Sequence, residues 1–323
     1  MPMRDATAFG ADTTTDQVLD GLDLSDRIVL ITGGSSGLGA ESARALAAHG
    51  AEVILTARDA AKGEGVAEAI RASTGNPRVT VESVELGSLA SIRAFADGFL
   101  ATHPRLDVLL LNAGVMGCPF GHTADGFEMQ FGTNHLGHFL LTGLLLPALR
   151  RGTRPRIVSV SSRGHHIAPV DFDDPHFARR PYHKWESYGQ SKTANVLFAV
   201  GLERRLAPHG IHALALHPGA IMTELGRHLV PEDIDYLRSR GGKGGGGLQF
   251  KTVEAGAATS VFAATAPELE GRGGLYLEDC QVAAVHDAPD ARDGVKSYAI
   301  DPELAERLWS LSEAAVGKRI AVE

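Results

Sequence analysis

The chain has 323 residues, 44% hydrophobic and 22% charged, which suits one large α/β domain or two smaller ones. A net charge of −8 argues against nucleic acid or an anionic membrane surface as a partner. Two cysteines, Cys118 and Cys280, provide neither a disulfide framework nor a zinc cluster, so a reducing, cytoplasmic compartment is expected. The first residues lack the apolar run of a secretory signal. The longest apolar stretch, Phe139 to Leu149, is broken by Thr142, Gly143 and Pro147 and falls short of the ~20 residues a membrane span takes.

Residues 1–24 read as an N-terminal extension, with Thr13 to Asp16 able to cap a short helix carrying Val18, Leu19 and Leu22. Arg27 to Ile31 is a continuous apolar run suited to a buried parallel strand. It leads through Thr32-Gly33-Gly34-Ser35-Ser36-Gly37-Leu38-Gly39 into the helical Ala40 to Ala48. A glycine loop between strand and helix allows a tight turn, close approach of backbone to a pyrophosphate, and close helix–strand packing. The helix N-terminus adds free N–H groups and the positive dipole end for the phosphates.

The next strand, Glu52 to Thr56, ends in Ala57-Arg58-Asp59. An acid at the strand end would take the ribose 2′-hydroxyl of NAD, whereas an arginine can pair with a 2′-phosphate through parallel hydrogen bonds. Arg58 therefore favours NADP(H), with NAD(H) through Asp59 as the alternative. Ala60 to Ala72 reads as helix, and Arg78 to Leu86 as a strand whose end, Glu85-Leu86, could support an adenine edge. Ser88 to Ala101 reads as helix, with Leu89, Ile92, Phe95, Ala96 and Phe99 on one stripe. Leu106 to Leu111 reads as a strand ending in Asn112-Ala113-Gly114, where the glycine permits close backbone approach to a cofactor. Alternating strands and helices imply a parallel sheet with right-handed crossovers.

Asp125 to Leu149 carries a long helical pattern containing Asn134-His135-Leu136-Gly137-His138. Asn134 reads either as a satisfied core amide or as a site residue, and the two histidines as structural. Arg156 to Ser162 is the fifth strand and ends in a serine at the sheet edge where open α/β sheets bind ligands. Residues 163–184 read as a polar surface excursion.

Tyr188-Gly189-Gln190-Ser191-Lys192 opens the next helix. Residues four apart share a helix face, so the phenol and the ammonium should project side by side. The cation should then lower the phenol's pKa from about 10 toward neutrality and ready it for proton transfer. Ile211 to Leu216 is the sixth strand, followed by His217-Pro218-Gly219-Ala220-Ile221-Met222-Thr223. Residues 224–250 read as a substrate lid hinged on the glycine run 241–247 or as a surface loop; no Ser or Thr follows Lys243, so the run is not a phosphate loop of the Walker type. Val253 to Ala266 and Pro302 to Ala315 read as helices, and Gly273 to Leu277 as a last strand.

Thr32-Gly33…Gly37…Gly39, Asn112-Ala113-Gly114, Asn134, Ser162, Tyr188…Lys192 and Pro218-Gly219…Thr223 stand in the order and places of the motifs of the short-chain dehydrogenases/reductases. The chain resembles that family over about residues 25–280. It is most similar to the retinol-dehydrogenase-like branch, through Asn112 to Met116, Thr123 to Glu128, Asn134 to Phe139 and His217-Pro218-Gly219. Three departures accompany the likeness. The membrane anchor frequent in animal members of the branch is not expected here. Glu85 stands where the family usually has Asp. The step from Ser162 to Tyr188 is longer than the family's usual spacing, as it also is in the retinol-like branch.

The resemblance implies a single Rossmann-type, doubly wound α/β domain over residues 25–323, with about seven parallel strands in the order 3-2-1-4-5-6-7 and helices on both faces. It also implies hydride transfer between a nicotinamide cofactor and a hydrophobic alcohol or carbonyl compound. Ser162 and Tyr188 would then hydrogen-bond the substrate oxygen, and Tyr188 would carry the proton. Lys192 would tune it and bind the nicotinamide ribose, and Asn134 would hold a water linking Lys192 to solvent. Gly33, Ser35, Ser36, Gly37, Leu38, Gly39, Arg58, Glu85, Leu86, Asn112, Ala113, Gly114, Pro218, Gly219, Ile221 and Thr223 would bind the cofactor. No metal is expected, and family members are commonly homodimers or homotetramers. Rival readings are an NAD-dependent catabolic alcohol dehydrogenase, a reductase of an activated C=C bond, and a non-catalytic dinucleotide sensor.

Overall fold

A computed structural model describes residues 9–240 and 250–321. Eight strands form one sheet in the order β3-β2-β1-β4-β5-β6-β7-β8. They are β1 (Ile28–Thr32), β2 (Glu52–Ala57), β3 (Val79–Ser83), β4 (Val108–Leu111), β5 (Arg156–Val160), β6 (His212–His217), β7 (Leu275–Glu278) and β8 (Gln281–Val282). The first seven pair in parallel, in the order the resemblance implies. The short β8 adds an antiparallel edge that the sequence reading lacked, reached through a reversal at Asp279 and Cys280, both at positive φ.

Each central strand feeds two cores, because successive side chains point to opposite faces. Leu30, Leu109, Leu111, Ala213 and Ala215 enter one core, with α4 (Leu89–Thr102), α6 (Gly137–Leu149), α7 (Lys184–Leu206) and α10 (Pro302–Val316). Val29, Ile31, Val108, Leu110, Leu214 and Leu216 enter the other, with α2 (Gly37–Ala48), α3 (Ala60–Thr74) and α9 (Val253–Thr265). Strands buried on both faces have no polar alternation, which is why they read as apolar runs. The N-terminal helix α1 (Thr15–Leu19) is closed by a capping box between Thr14 and Gln17, and it sets Val18 and Leu19 into the second core.

Three stretches differ from their sequence reading. The helix expected from Asp125 begins only at α5 (Met129–Phe131), where buried Glu128 accepts the N–H groups of Gln130 and Phe131. It then passes through a π-helical turn, Gly132–Leu136, before α6. Residues 163–184 are not a simple surface excursion: His165, Val170, Asp174 and Phe177 are buried. The Asp174 carboxylate is spent inside the loop, accepting the N–H groups of Ala178, Arg179 and Arg180 at 2.7, 3.1 and 3.1 Å. Residues 224–240 contain a 3₁₀ turn, Glu224–Gly226, and a helix, α8 (Pro231–Arg240), that the neighbouring glycine run obscured. The run 241–247 itself lies outside the described residues. Among those residues no helix is long and apolar enough to cross a membrane.

Candidate active site

A cleft of about 2030 Å³ runs along the C-terminal edge of the parallel strands. Drug-sized sites measure about 300–1,000 Å³, so this one has room for a dinucleotide and a second molecule. All the residues read from the sequence as cofactor-binding line it except Gly39, and Ser162, Tyr188 and Lys192 line it as well. Asn134 stands behind its wall, fully buried.

At the floor of the cleft the glycine loop joins β1 to α2. A Cβ on Gly39 would stand 2.3 Å from the Gly33 carbonyl oxygen and 2.6 Å from Asn112 Nδ2, so only glycine lets α2 start this close to the sheet. Asn112 Nδ2 donates to the Thr32 and Gly33 carbonyls, holding the loop down. Ser36, the N-cap of α2, makes no side-chain capping bond. The first-turn N–H groups of α2 are therefore left to an anion, which is what a pyrophosphate needs. These features fit a dinucleotide.

The Thr32 hydroxyl accepts the N–H groups of Asn112 and Ala113 at 2.9 and 3.0 Å and lies 2.9 Å from His138 Nε2. The other ring nitrogen of His138, Nδ1, lies 3.0 Å from the Asn134 carbonyl oxygen. A carbonyl can only accept, so Nδ1 carries the proton and Nε2 accepts the Thr32 O–H. Burial holds His138 neutral, with its pKa pulled down to about 4. The two turns that approach the cleft at β1 and β4 are thus tied to the π-helical turn. The Asn134 side chain does not face solvent: it accepts from the Val115 N–H at 2.8 Å and donates to the Val115 carbonyl and Ser191 Oγ, each at 2.9 Å. Asn134 acts as a clamp between the β4 turn and α7.

Ser162 ends β5. Its Oγ accepts the Gly164 N–H at 3.0 Å, leaving its own O–H free to donate on the side of the Tyr188 phenol, whose pKa it lowers. Behind it, His165 Nδ1 donates to the Ser162 carbonyl at 2.8 Å while Nε2 accepts the Lys296 N–H at 3.2 Å. A Cβ on Gly164 would lie 2.7 Å from Tyr188 Cε1, so this glycine gives the phenol its place beside Ser162.

Tyr188 and Lys192 do share a face of α7, and both are buried. The expected fall of the phenol pKa is not what the protein alone produces. Burial pushes Tyr188 up to about 12, with the Ser162 hydrogen bond acting against it. The Lys192 ammonium, itself pulled down to about 8 by burial, is 5.7 Å from the phenol ring centre and donates to the Val160 carbonyl at 3.0 Å. The cation is aimed at the end of β5, not at the phenol oxygen, and desolvation outweighs it.

At the opposite end of the cleft Arg58 is exposed, 3.7 Å from the Glu85 carboxylate. Glu85 also accepts the Gly87 N–H at 2.8 Å, which fixes the turn after β3. Asp59 is committed as the N-cap of α3, accepting the Lys62 N–H at 3.1 Å. Several lining residues had no individual role in the sequence reading, although Leu229, Ile234 and Leu237 fall in the segment read as a substrate lid. Lys62 follows Arg58 by one helical turn, a spacing that could have flagged it. Trp185, whose ring meets Tyr188 edge-on, and Leu229, Ile234 and Leu237 add apolar side chains to the lining, and Asp287, Arg292 and Lys296 reach the cleft from the C-terminal loop. Among the described residues no group of His, Cys, Asp and Glu could hold a metal ion.

Residues 27–233 match the family model for short chain dehydrogenase. The chain is 46% identical over 302 residues to a probable oxidoreductase of Streptomyces antibioticus, covering 91% of this chain and 99% of that one. It is 43% identical over 296 residues to human retinol dehydrogenase 12, covering 92% and 88% of the two chains. Among solved structures, a protein from Mycobacterium Paratuberculosis superposes with a TM-score of 0.72 at 35% identity, covering 94% of this chain and 98% of that one. A short chain dehydrogenase from Burkholderia cenocepacia, solved in complex with NADP, gives a TM-score of 0.63 at 27% identity over 79% and 97% of the chains.

Proposed function

The chain belongs to the short-chain dehydrogenase/reductase family, oxidoreductases acting on CH–OH groups with NAD(P), and from that premise we propose that it interconverts a hydrophobic secondary alcohol and its ketone, or an aldehyde, with NADP(H). The observation that carries this reading is one cleft with two unlike ends. One end presents Ser162 and Tyr188 with the apolar side chains of Trp185 and Leu229, and the other presents Arg58, Lys62 and Arg227. Asp59, the carboxylate that would favour a free 2′-hydroxyl, caps α3 instead. The Burkholderia cenocepacia relative, solved with NADP, supports the same cofactor.

The nicotinamide group supplies or accepts the hydride and, when oxidised, carries a positive ring charge. The protein's part is to hold the substrate oxygen and move one proton. In the reductive direction negative charge gathers on that oxygen, and the Ser162 and Tyr188 hydroxyls are donors fixed in advance. Such a donor lowers the barrier by about 3 kcal/mol. Tyr188 Oη then delivers its proton to the oxygen. A phenol with a pKa near 12 is a competent hydrogen-bond donor but a poor base, so alcohol oxidation depends on positive charge brought close to Oη. Lys192 supplies part of it: a shift of one pKa unit corresponds to about 1.4 kcal/mol between protonation states. Trp185, Leu229, Ile234 and Leu237 exclude water from the reacting groups and favour an apolar substrate body.

The test is a panel of ketones, aldehydes and alcohols assayed with NADPH and NADP⁺ in parallel with NADH and NAD⁺. Turnover of apolar ketones with NADPH is expected. A preference for NADH overturns the cofactor assignment, and saturation of a C=C bond overturns the reaction.

A further inference from the structure

At the adenosine end of the cleft Arg58 and Lys62 are each already engaged by a carboxylate of the protein. Arg58 faces Glu85, which belongs to the neighbouring strand's own turn. Lys62 faces Glu224, 162 positions away in the chain and on the other side of the cleft, with Nζ 2.5 Å from Oε2. Glu224 opens the 3₁₀ turn at the root of the segment that carries α8. The root crosses the phosphate-binding floor. A Cβ on Gly37 would touch Thr223 Cγ2 at 3.2 Å, and the Ser36 hydroxyl lies on the side of the Glu224 carboxylate, helping to lower its pKa. Lys62 first and Ser36 second hold that carboxyl below its ordinary pKa. The other charged neighbours are basic: Arg227 donates to the Glu224 carbonyl at 3.1 Å, and His228 lies within the field of Arg58 and Arg227.

One carboxylate thus occupies an ammonium one turn beyond Arg58 and stands beside the N-cap of α2. Those are the groups that an anion of the cofactor's adenosine half would seek. We propose that Glu224 is a specificity-determining residue that competes, from within the chain, with the 2′-phosphate for Lys62, and that release of this ion pair frees the root of the α8 segment when a 2′-phosphorylated cofactor binds. The inference rests on the NADP(H) reading. It adds to it a residue that opposes the phosphate, and a link from cofactor choice to the wall of the substrate pocket. That wall is built in part by Leu229 and Ile234 of the same segment. The segment is pinned at its far end by Lys184, which is 2.7 Å from Asp233 Oδ2, and by Tyr236 stacked on Trp185. Loss of the Glu224 contact therefore loosens one end of the segment while the other stays in place.

The test is calorimetric binding of 2′,5′-ADP and of 5′-AMP, which lacks the 2′-phosphate, in about 0.15 M salt, where charges more than about 8 Å apart are screened. Glu224→Gln is expected to tighten 2′,5′-ADP about two- to fivefold, the range of an exposed ion pair, and to leave 5′-AMP unchanged. Lys62→Met is expected to weaken 2′,5′-ADP and leave 5′-AMP unchanged, and adding Glu224→Gln to Lys62→Met should change nothing further. The proposal is overturned if Glu224→Gln binds 2′,5′-ADP as the wild type does, if 5′-AMP gains equally, or if the gain persists without Lys62. A wild-type protein that binds the two nucleotides equally well overturns the NADP(H) reading and this inference together. Discrimination by the wild type with no effect of Glu224→Gln overturns this inference alone.

Discussion

The two ends of the cleft are built on opposite plans. At the catalytic end Tyr188 and Lys192 are 4% and 3% exposed, and each has a protein partner that sets its position, Ser162 for one and the Val160 carbonyl for the other. At the adenosine end the Arg58 and Lys62 side chains are 65% and 43% exposed, and their partners are carboxylates that a ligand can replace. Under the proposed function the difference follows from what each end would do. Proton and hydride transfer need donors aimed before the substrate arrives, and burial makes such donors strong. Choosing between two dinucleotides needs only a difference in charge, which solvated groups can supply.

The contrast breaks if the ends respond alike to substitution. The largest effect is expected from Tyr188→Phe. Under the proposed mechanism it removes the proton donor and half of the oxygen-holding pair while leaving the volume almost unchanged. Turnover should fall about 10³-fold or more, since general acid catalysis alone contributes about 10²–10⁴-fold. NADPH binding, measured by fluorescence titration, should stay within about twofold. A variant with near wild-type rate removes Tyr188 from the mechanism. Arg58→Ala should do the reverse. The loss of a charge-assisted contact of about 1.5–3 kcal/mol predicts NADPH binding weaker by about 10–100-fold, with NADH binding and kcat nearly unaffected. Equal weakening of both cofactors would mean that Arg58 does not read the 2′-phosphate.

Legibility divides along the same line. The strands were readable because double-faced burial leaves unbroken apolar runs, Ser162 because it follows a strand whose end the alternation fixes, and Tyr188 and Lys192 because a four-residue step in a helical pattern puts them on one face. The sign of the Tyr188 shift was not readable. A helical spacing places the ammonium on the right face but does not say that it points at the Val160 carbonyl, nor how deeply the phenol is desolvated. The π-helical turn at Asn134 was hidden because its residues keep a helical pattern. Lys62 and Glu224 were passed over because a solvated charge carries no periodic signal, and their meeting depends on two segments 162 positions apart. The C-terminal residues Asp287, Arg292 and Lys296 reach the cleft only through the packing of their loop.

Acid titration sharpens the contrast from the side of stability. His138 and His165, which hold Asn134 and Ser162, and His135 beside them are buried neutral, with pKa values pulled down to about 4, about 3 and about 3. In the unfolded chain each titrates near 6.5, so between roughly pH 6.5 and 4 the unfolded state binds more protons than the native one. Stability therefore rises with pH across that window and is lost as pH falls through it. Each histidine adds a slope of up to about 1.4 kcal/mol per pH unit. Denaturant unfolding at pH 7, 6 and 5 should show the loss, and His165→Asn should flatten it. A stability profile flat from pH 7 to 5 would mean that these imidazoles are not held neutral.

Salt should separate the ends by the smallest margin and without any substitution. Screening acts on exposed charges, and the Debye length falls from about 10 Å at 0.1 M to about 3 Å at 1 M. Attraction of a 2′-phosphate to Arg58, Lys62 and Arg227 should therefore weaken, raising KM for NADPH severalfold between 0.05 and about 0.5 M sodium chloride. KM for NADH should move less, because it lacks the extra phosphate. The Ser162 and Tyr188 hydrogen bonds lie inside the protein, where ions do not reach, so kcat should stay constant. A kcat that falls in step with the NADPH affinity would place salt-sensitive charge at the catalytic end and remove the distinction between the two.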